Sequence, residues 1–293
     1  MEFKRMLSVV MVTVLFFGVA AEAVAKHGEK PLVKKAILLV AFGTSDPEAA
    51  KAFDLVEKRA KERSPGVEVR WAYTSRMIRA KLAKEGKVLD SPETALAKLM
   101  EDRYTHVAVL PLHTIPGEEF HETYQNAHLF GQMAGGFQRI LVARPLLSSA
   151  KDMEAVAEAL LKNIPGRKAG EAVIFMGHGS ERHPADTIYL AMQQIFQEKD
   201  ALAFVAAVEG SSTLDDVIPK LKKRKVKKVF LVPLMSVAGD HAKNDMAGDE
   251  EDSWKSILTA KGFKVEPILR GTAEIPEIVD VWLDHLKSAF SHF

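Results

Sequence analysis

The chain contains no cysteine. That removes disulfides, thiolate metal ligands, cysteine nucleophiles and the thiol that would carry a lipoprotein lipid. Any metal must be held by His, Asp or Glu, and the fold must draw its stability from its core. An excess of charge is also missing: 40 Lys and Arg face 39 Asp and Glu, for a net charge of +1. Without a global basic field, counterion-release binding is not expected, and nucleic acid is not expected as a partner. No Gly-x-x-x-x-Gly-Lys loop is present to cradle a nucleotide phosphate. The apolar run from Leu7 to Ala21 falls short of the roughly 20 residues needed to span a bilayer.

That run follows Lys4 and Arg5 and precedes Ala23-Val24-Ala25, the order of a basic region, an apolar region and small residues at a cleavage site. Residues 1–25 therefore read as an export signal cut before Lys26. The mature chain is expected in the periplasm, with no stable membrane anchor.

With 293 residues, 47% of them hydrophobic, the chain has material for one large core or two ordinary ones. Short β-rich apolar runs alternate with helical patterns, at residues 36–41, 67–73, 106–110, 139–143, 172–176, 203–208, 228–232 and 264–268. Such runs suit strands buried on both faces, and the helical patterns between them supply the crossovers that parallel strands require. The predicted class is α/β, with doubly wound parallel sheets. Asp46-Pro47-Glu48 and Ser91-Pro92-Glu93 each order a cap, a first-turn proline and an acid, and so predict helix starts.

The chain also repeats itself. Leu39-Val-Ala-Phe-Gly-Thr-Ser is echoed by Phe175-Met-Gly-His-Gly-Ser, and the run from Val107 matches that from Val229 without gaps, Pro111 falling opposite Pro233 and Gly117 opposite Gly239. These matches predict an internal duplication into two similar domains, 33–147 and 148–293, facing a central cleft.

In an open parallel sheet, ligands bind beyond the carboxyl ends of the strands. Three residues are expected there in the second half: His178, Glu209 and His241. Taken singly, each has an ordinary explanation, as a hydrogen-bonded histidine, a carboxylate at a helix N-terminus and a solvated loop histidine. Together they make an N and O donor set suited to Co2+, Fe2+, Zn2+ or Ni2+ where no sulfur is offered. Their expected counterparts in the first half are Phe42, Thr74 and Glu119, so the second half is expected to hold the chemistry.

The segments Leu39–Ser45, 176–184, Val208-Glu209-Gly210 and the run from Pro233 through Gly239-Asp-His-Ala-Lys-Asn-Asp-Met-Ala-Gly248 resemble the class II tetrapyrrole chelatases. The likeness is to the anaerobic cobaltochelatases of the cobalamin pathway, and it spans essentially the whole mature chain. Gly-His-Gly-Ser alone is a weak signal; the Gly-Asp-His run after a strand is a strong one. The resemblance implies ATP-independent insertion of Co2+, or of Fe2+, into a sirohydrochlorin-type ring. It makes His178 and His241 the catalytic pair and Glu209 the accompanying carboxylate.

Insertion needs a partly desolvated ion held over the ring and a base for two pyrrolic protons. Ligands that bind too tightly would never release the ion. A histidine whose ordinary pKa is about 6.5 becomes a base once the metal leaves it; which of the two does so stays open at this point. Arg76, Arg182 and Lys243 are the candidate cations for the substrate's carboxylates, with ordinary surface charge as the alternative. His121, in a stretch that also holds His113 and His128, is a candidate ligand for accessory iron or haem. The rival readings are an exported carrier of a tetrapyrrole, haem or metal, and a periplasmic binding protein for a small ligand. The sequence leaves a homo-oligomer open.

Overall fold

The structure, a computed structural model, describes residues 32–293; the expected export signal at 1–25 lies outside the described residues. The first half runs β1 (Lys35–Ala41), α1 (Pro47–Ala50), α2 (Ala52–Arg63), β2 (Glu68–Tyr73), α3 (Arg76–Lys84), α4 (Pro92–Glu101), β3 (His106–Pro111), α5 (Glu118–Gln132) and β4 (Arg139–Val142). The second runs α6 (Ala150–Lys162), β5 (Ala172–Gly177), α7 (Thr187–Lys199), β6 (Ala203–Ala207), α8 (Leu214–Lys223), β7 (Lys228–Pro233), α9 (Trp254–Ala260), β8 (Lys264–Pro267) and α10 (Pro276–Phe290). Each strand lies within a residue or so of the apolar run that predicts it. Asp46 and Ser91 cap α1 and α4 through their side chains, each ahead of a first-turn proline.

Two four-stranded parallel sheets result, in the orders β2-β1-β3-β4 and β6-β5-β7-β8. They repeat each other down to single hydrogen bonds. Val40 pairs with Pro111 as Met176 pairs with Pro233. The Leu112 and Leu234 N–H groups donate to Val40 and Met176, both at 2.7 Å. Gly117 accepts from His121 as Gly239 accepts from Lys243. In both sheets the chain turns opposite ways from the two central strands, which creates a switch point between β1 and β3 and another between β5 and β7. Loops diverge there and leave room for a ligand.

The packing joins the halves. One core takes Ile37, Leu39, Ala108 and Leu110 from the first sheet, Val173, Phe175, Phe230 and Val232 from the second, and buried residues of α2, α6, α7 and α10 between them. The outer face of the first sheet is covered by α4 and α5, that of the second by α8 and α9. The C-terminal α10 packs against β3, β4 and α2 of the first half. Its Asp280 and Asp284 pair with Arg63, and Asp280 also with Arg59. Residues Val33–Phe293 consequently form one compact unit, with α10 crossing the boundary expected at 147/148. Among the described residues no helix is long and apolar enough to cross a membrane.

Candidate active site

The switch point of the second sheet carries two histidines. His178 follows the last residue of β5, and His241 follows β7 after a bend at 235–237. Their rings lie 4.8 Å apart, centroid to centroid, and nearly perpendicular at 83°. His178 Nδ1 stands 3.0 Å from the Gly179 carbonyl, which can only accept, so the proton sits on Nδ1 and the lone pair on Nε2. His241 Nδ1 stands 2.5 Å from Asp245 Oδ2, and the same argument puts a proton on its Nδ1. In their neutral form both imidazoles are thus set in the tautomer that offers Nε2 to a metal.

The backbone explains how each ring is placed. Gly179 sits at φ +82°, and a Cβ there would lie 1.8 Å from the Glu209 carbonyl oxygen; only glycine lets the His178 loop press this closely on the end of β6. The Glu209 N–H donates to the His178 carbonyl at 3.0 Å and closes the contact. After β7, Asp240 and His241 begin a helix that widens into a π turn at Ala242–Met246. Turns of this kind recur at functional sites. Here the turn brings Asp245 onto His241.

Glu209 ends up beside the histidine loop with an exposed side chain. Among the described residues, no three His, Asp or Glu side chains stand together closely enough to hold a metal. The structure brings His178 and His241 together and leaves Glu209 on the loop hydrogen-bonded to His178 rather than in a closed trio.

The expected cations divide. Arg76 and Arg182 are exposed, and Arg182 lines a cavity of about 490 Å³ with His183, Asp186 and Ser211. Lys243, expected to face substrate carboxylates, instead pairs with Asp46 of the first half. That pairing, with the Ala49 N–H, holds the Asp46 carboxyl below the usual carboxylate range. His121 on α5 has its Nδ1 3.0 Å from the Gly117 carbonyl and stacks on His183 at 5.2 Å. The loops beyond the two sheets therefore meet at Lys243 with Asp46 and at His121 with His183. His113 lies after β3 with both ring nitrogens buried and unpartnered.

One expected correspondence shifts. Thr74 donates to Ala41 and Ser75 to Phe42, as Val208 donates to Gly177 and Glu209 to His178. The counterpart of Glu209 is therefore Ser75, and Thr74 matches Val208. Three groups escaped sequence reasoning: Asp245, His183 and Asp186. Only Asp245 left a signal, the i, i+4 spacing from His241.

A family model described as cobalt chelatase (CbiK) matches residues 35–291. Sirohydrochlorin cobaltochelatase CbiKC of Nitratidesulfovibrio vulgaris is 46% identical over 262 residues, covering 89% of this chain and 92% of that protein. Sirohydrochlorin cobaltochelatase of Salmonella typhimurium is 37% identical over 261 residues, covering 88% and 97%. Among solved structures, SirB from Bacillus subtilis with Fe3+ superposes with a TM-score of 0.58 at 16% identity, covering 88% of this chain and 96% of that one. At that identity the likeness speaks for the fold.

Proposed function

The chain belongs to the cobalt chelatase (CbiK) family, and from that membership we propose that it inserts cobalt, with Fe2+ as the alternative ion, into sirohydrochlorin, His178 and His241 handing the ion to the ring. The observation that carries the reading is the histidine pair at the β5/β7 switch point, with both Nδ1 atoms engaged by acceptors and both Nε2 lone pairs free.

Two neutral nitrogen ligands make a weak site, which suits an ion that must be surrendered. Insertion exchanges one M2+ for two pyrrolic protons. Each Nε2 becomes able to accept a proton once the metal has left it, and the exposed Glu209 carboxylate next to the pair draws in the cation and then the protons. The backbone hydrogen bond from Glu209 to His178 keeps the two loops side by side through the exchange. None of these steps consumes a nucleotide, so the rate is expected to be the same with and without ATP. Arg182, free at the rim of the neighbouring cavity, is the cation placed to meet a carboxylate of the macrocycle. Residues 1–25 direct the chain to the periplasm on this reading; an intact mass beginning at Lys26 supports it, and a full-length cytoplasmic species sinks it.

The test is the absorbance change on mixing sirohydrochlorin with Co2+. His178→Ala and His241→Ala are each expected to lower the rate on the order of 10²–10⁴-fold with the circular dichroism unchanged. Glu209→Gln is expected to be milder. Wild-type rates in a folded double variant overturn the assignment; wild-type protein that binds both substrates without exceeding background is a carrier.

A further inference from the structure

Asp186 ends the 3-10 turn Pro184–Asp186 that runs straight into α7, with helical φ −56° and ψ −30°; the cap of that run is His183, whose Nδ1 accepts from the Ala185 N–H. An aspartate in the first turn of a helical run ordinarily stays in solvent. Here the carboxylate, only 6% exposed, turns away from the helix. Oδ1 accepts from the Ser180 N–H at 3.1 Å. Oδ2 accepts from the Ser211 N–H at 2.8 Å and from the Ser211 hydroxyl at 2.6 Å. Ser180 lies two residues after His178, and Ser211 two residues after Glu209. Gly210 sits at φ +99°, and a Cβ there would come within 2.5 to 2.7 Å of the Asp186 carboxylate. The loop has therefore given up any side chain at 210 to let the acid approach.

The first half supplies the comparison. Its corresponding loops, after β1 and β2, are tied by backbone hydrogen bonds from Thr74 and Ser75. Its loop acid, Asp46, caps α1 through the Glu48 and Ala49 N–H groups and pairs with Lys243. Among the described residues no carboxylate joins the β1 loop to the β2 loop. The cross-loop carboxylate occurs in the half that has the histidine.

We propose that Asp186 is a positioning residue for cobalt: it latches the His178 loop to the Glu209 loop and so fixes the spacing of the two groups over the ion. The inference rests on the function proposed above. Supports of this kind for metal-binding side chains typically alter metal affinity about 10–100-fold.

The experiment titrates the apoprotein with Co2+ alone and separately measures KM for Co2+ and kcat with sirohydrochlorin. Asp186→Asn keeps the size but turns an NH2 group toward at least one of the N–H donors. It is expected to raise both the cobalt Kd and the KM for Co2+ about 10–100-fold, with a smaller change in kcat at saturating metal. Ser211→Ala removes one of the three bonds and is expected to shift the same constants less; it serves alone if the Asp186 variant fails to fold. Ser91→Ala, which deletes the α4 cap, is expected to lower the melting temperature without moving the cobalt Kd. Wild-type cobalt affinity in Asp186→Asn and Ser211→Ala overturns the latch. So does a loss of affinity that tracks melting temperature across all three variants. A wild type that binds Co2+ and never metallates the ring removes the proposed activity while the binding curves still decide the latch. A wild type that binds no Co2+ removes both.

Discussion

Asp245→Ala separates what the His241–Asp245 contact does for stability from what it does for the metal. Both side chains are 44% exposed, and a pair this wet contributes between 0 and about 1 kcal/mol to folding. Its effect on the ion is larger, because the 2.5 Å bond to Nδ1 fixes both the tautomer and the ring orientation that deliver Nε2. Losing such a partner costs about 10–100-fold in metal affinity, which is about 1.4–2.7 kcal/mol. The variant is expected to melt within a few degrees of wild type while its cobalt Kd and its KM for Co2+ rise by one to two orders of magnitude. Asp245→Asn keeps an acceptor oxygen without the charge and is expected to fall between the two, since a charge-assisted bond is about twice as strong as a neutral one. Cobalt titration of the apoprotein, initial insertion rates against Co2+ and thermal melts give the three readouts. Unchanged cobalt affinity in Asp245→Ala would refute the argument, as would a loss that merely follows the fraction unfolded.

Two further outcomes follow from the first half and from the glycine loop. Burial pushes the His113 imidazole down to about 4, so the unfolded chain takes up a proton near pH 6.5 that the folded chain refuses until about pH 4; stability falls as pH drops through that window, by on the order of 3 kcal/mol in total. His113→Leu is expected to flatten the pH dependence of urea unfolding across the same range, and an unchanged slope would show that the imidazole is not held neutral. Gly43→Ala meets the Tyr73 ring at 3.3 Å, whereas Gly179→Ala meets the Glu209 carbonyl at 1.8 Å. Both incur the strain of a positive φ, but only the second is expected to abolish cobalt binding; equal effects in melting and titration would sink that reading.

Strands β1, β3, β5, β6 and β7 were legible because strands buried on both faces need uninterrupted apolar runs; β2, β4 and β8 are only partly buried, and polar residues such as Arg70 and Glu266 interrupt two of them. Caps at Asp46 and Ser91 were legible because their chemistry is local. The pairing of Lys243 with Asp46 was not, since it joins residues 197 apart in sequence and depends on how the two sets of loops meet. Asp186 was hidden for a related reason. It stands eight residues past His178, at the end of a short 3-10 turn at Pro184–Asp186, where its natural reading is an ordinary first-turn acid. The slip between Thr74 and Ser75 has a similar origin: no motif is shared between the ends of β2 and β6, and only the backbone hydrogen bonds set the register. The α10 helix reads from sequence as part of the second half. Its apolar face fits either sheet, and the Arg59 and Arg63 pairs help hold it on the first.

Position by position, the two switch points differ in the groups that the proposed function uses. Phe42 occupies the place of His178, Ser75 that of Glu209, and Glu119 that of His241. Four residues after Glu119 the regular helix α5 buries Thr123 with its hydroxyl unpartnered, where the π turn of the second half presents Asp245 to its histidine. The first half therefore lacks the ligands, the carboxylate that would orient one of them and the carboxylate bridging its two loops. It offers a partly exposed phenyl ring instead. On the function proposed above, a flat macrocycle set between these loops would meet an apolar ring from the first half and imidazole nitrogens from the second, so the ion would be delivered from the second half and the protons accepted there. Directionality of this kind requires that the duplicated loops differ in their supports as well as in their ligands, because an imidazole without its oriented Nδ1 partner presents the wrong tautomer as readily as the right one.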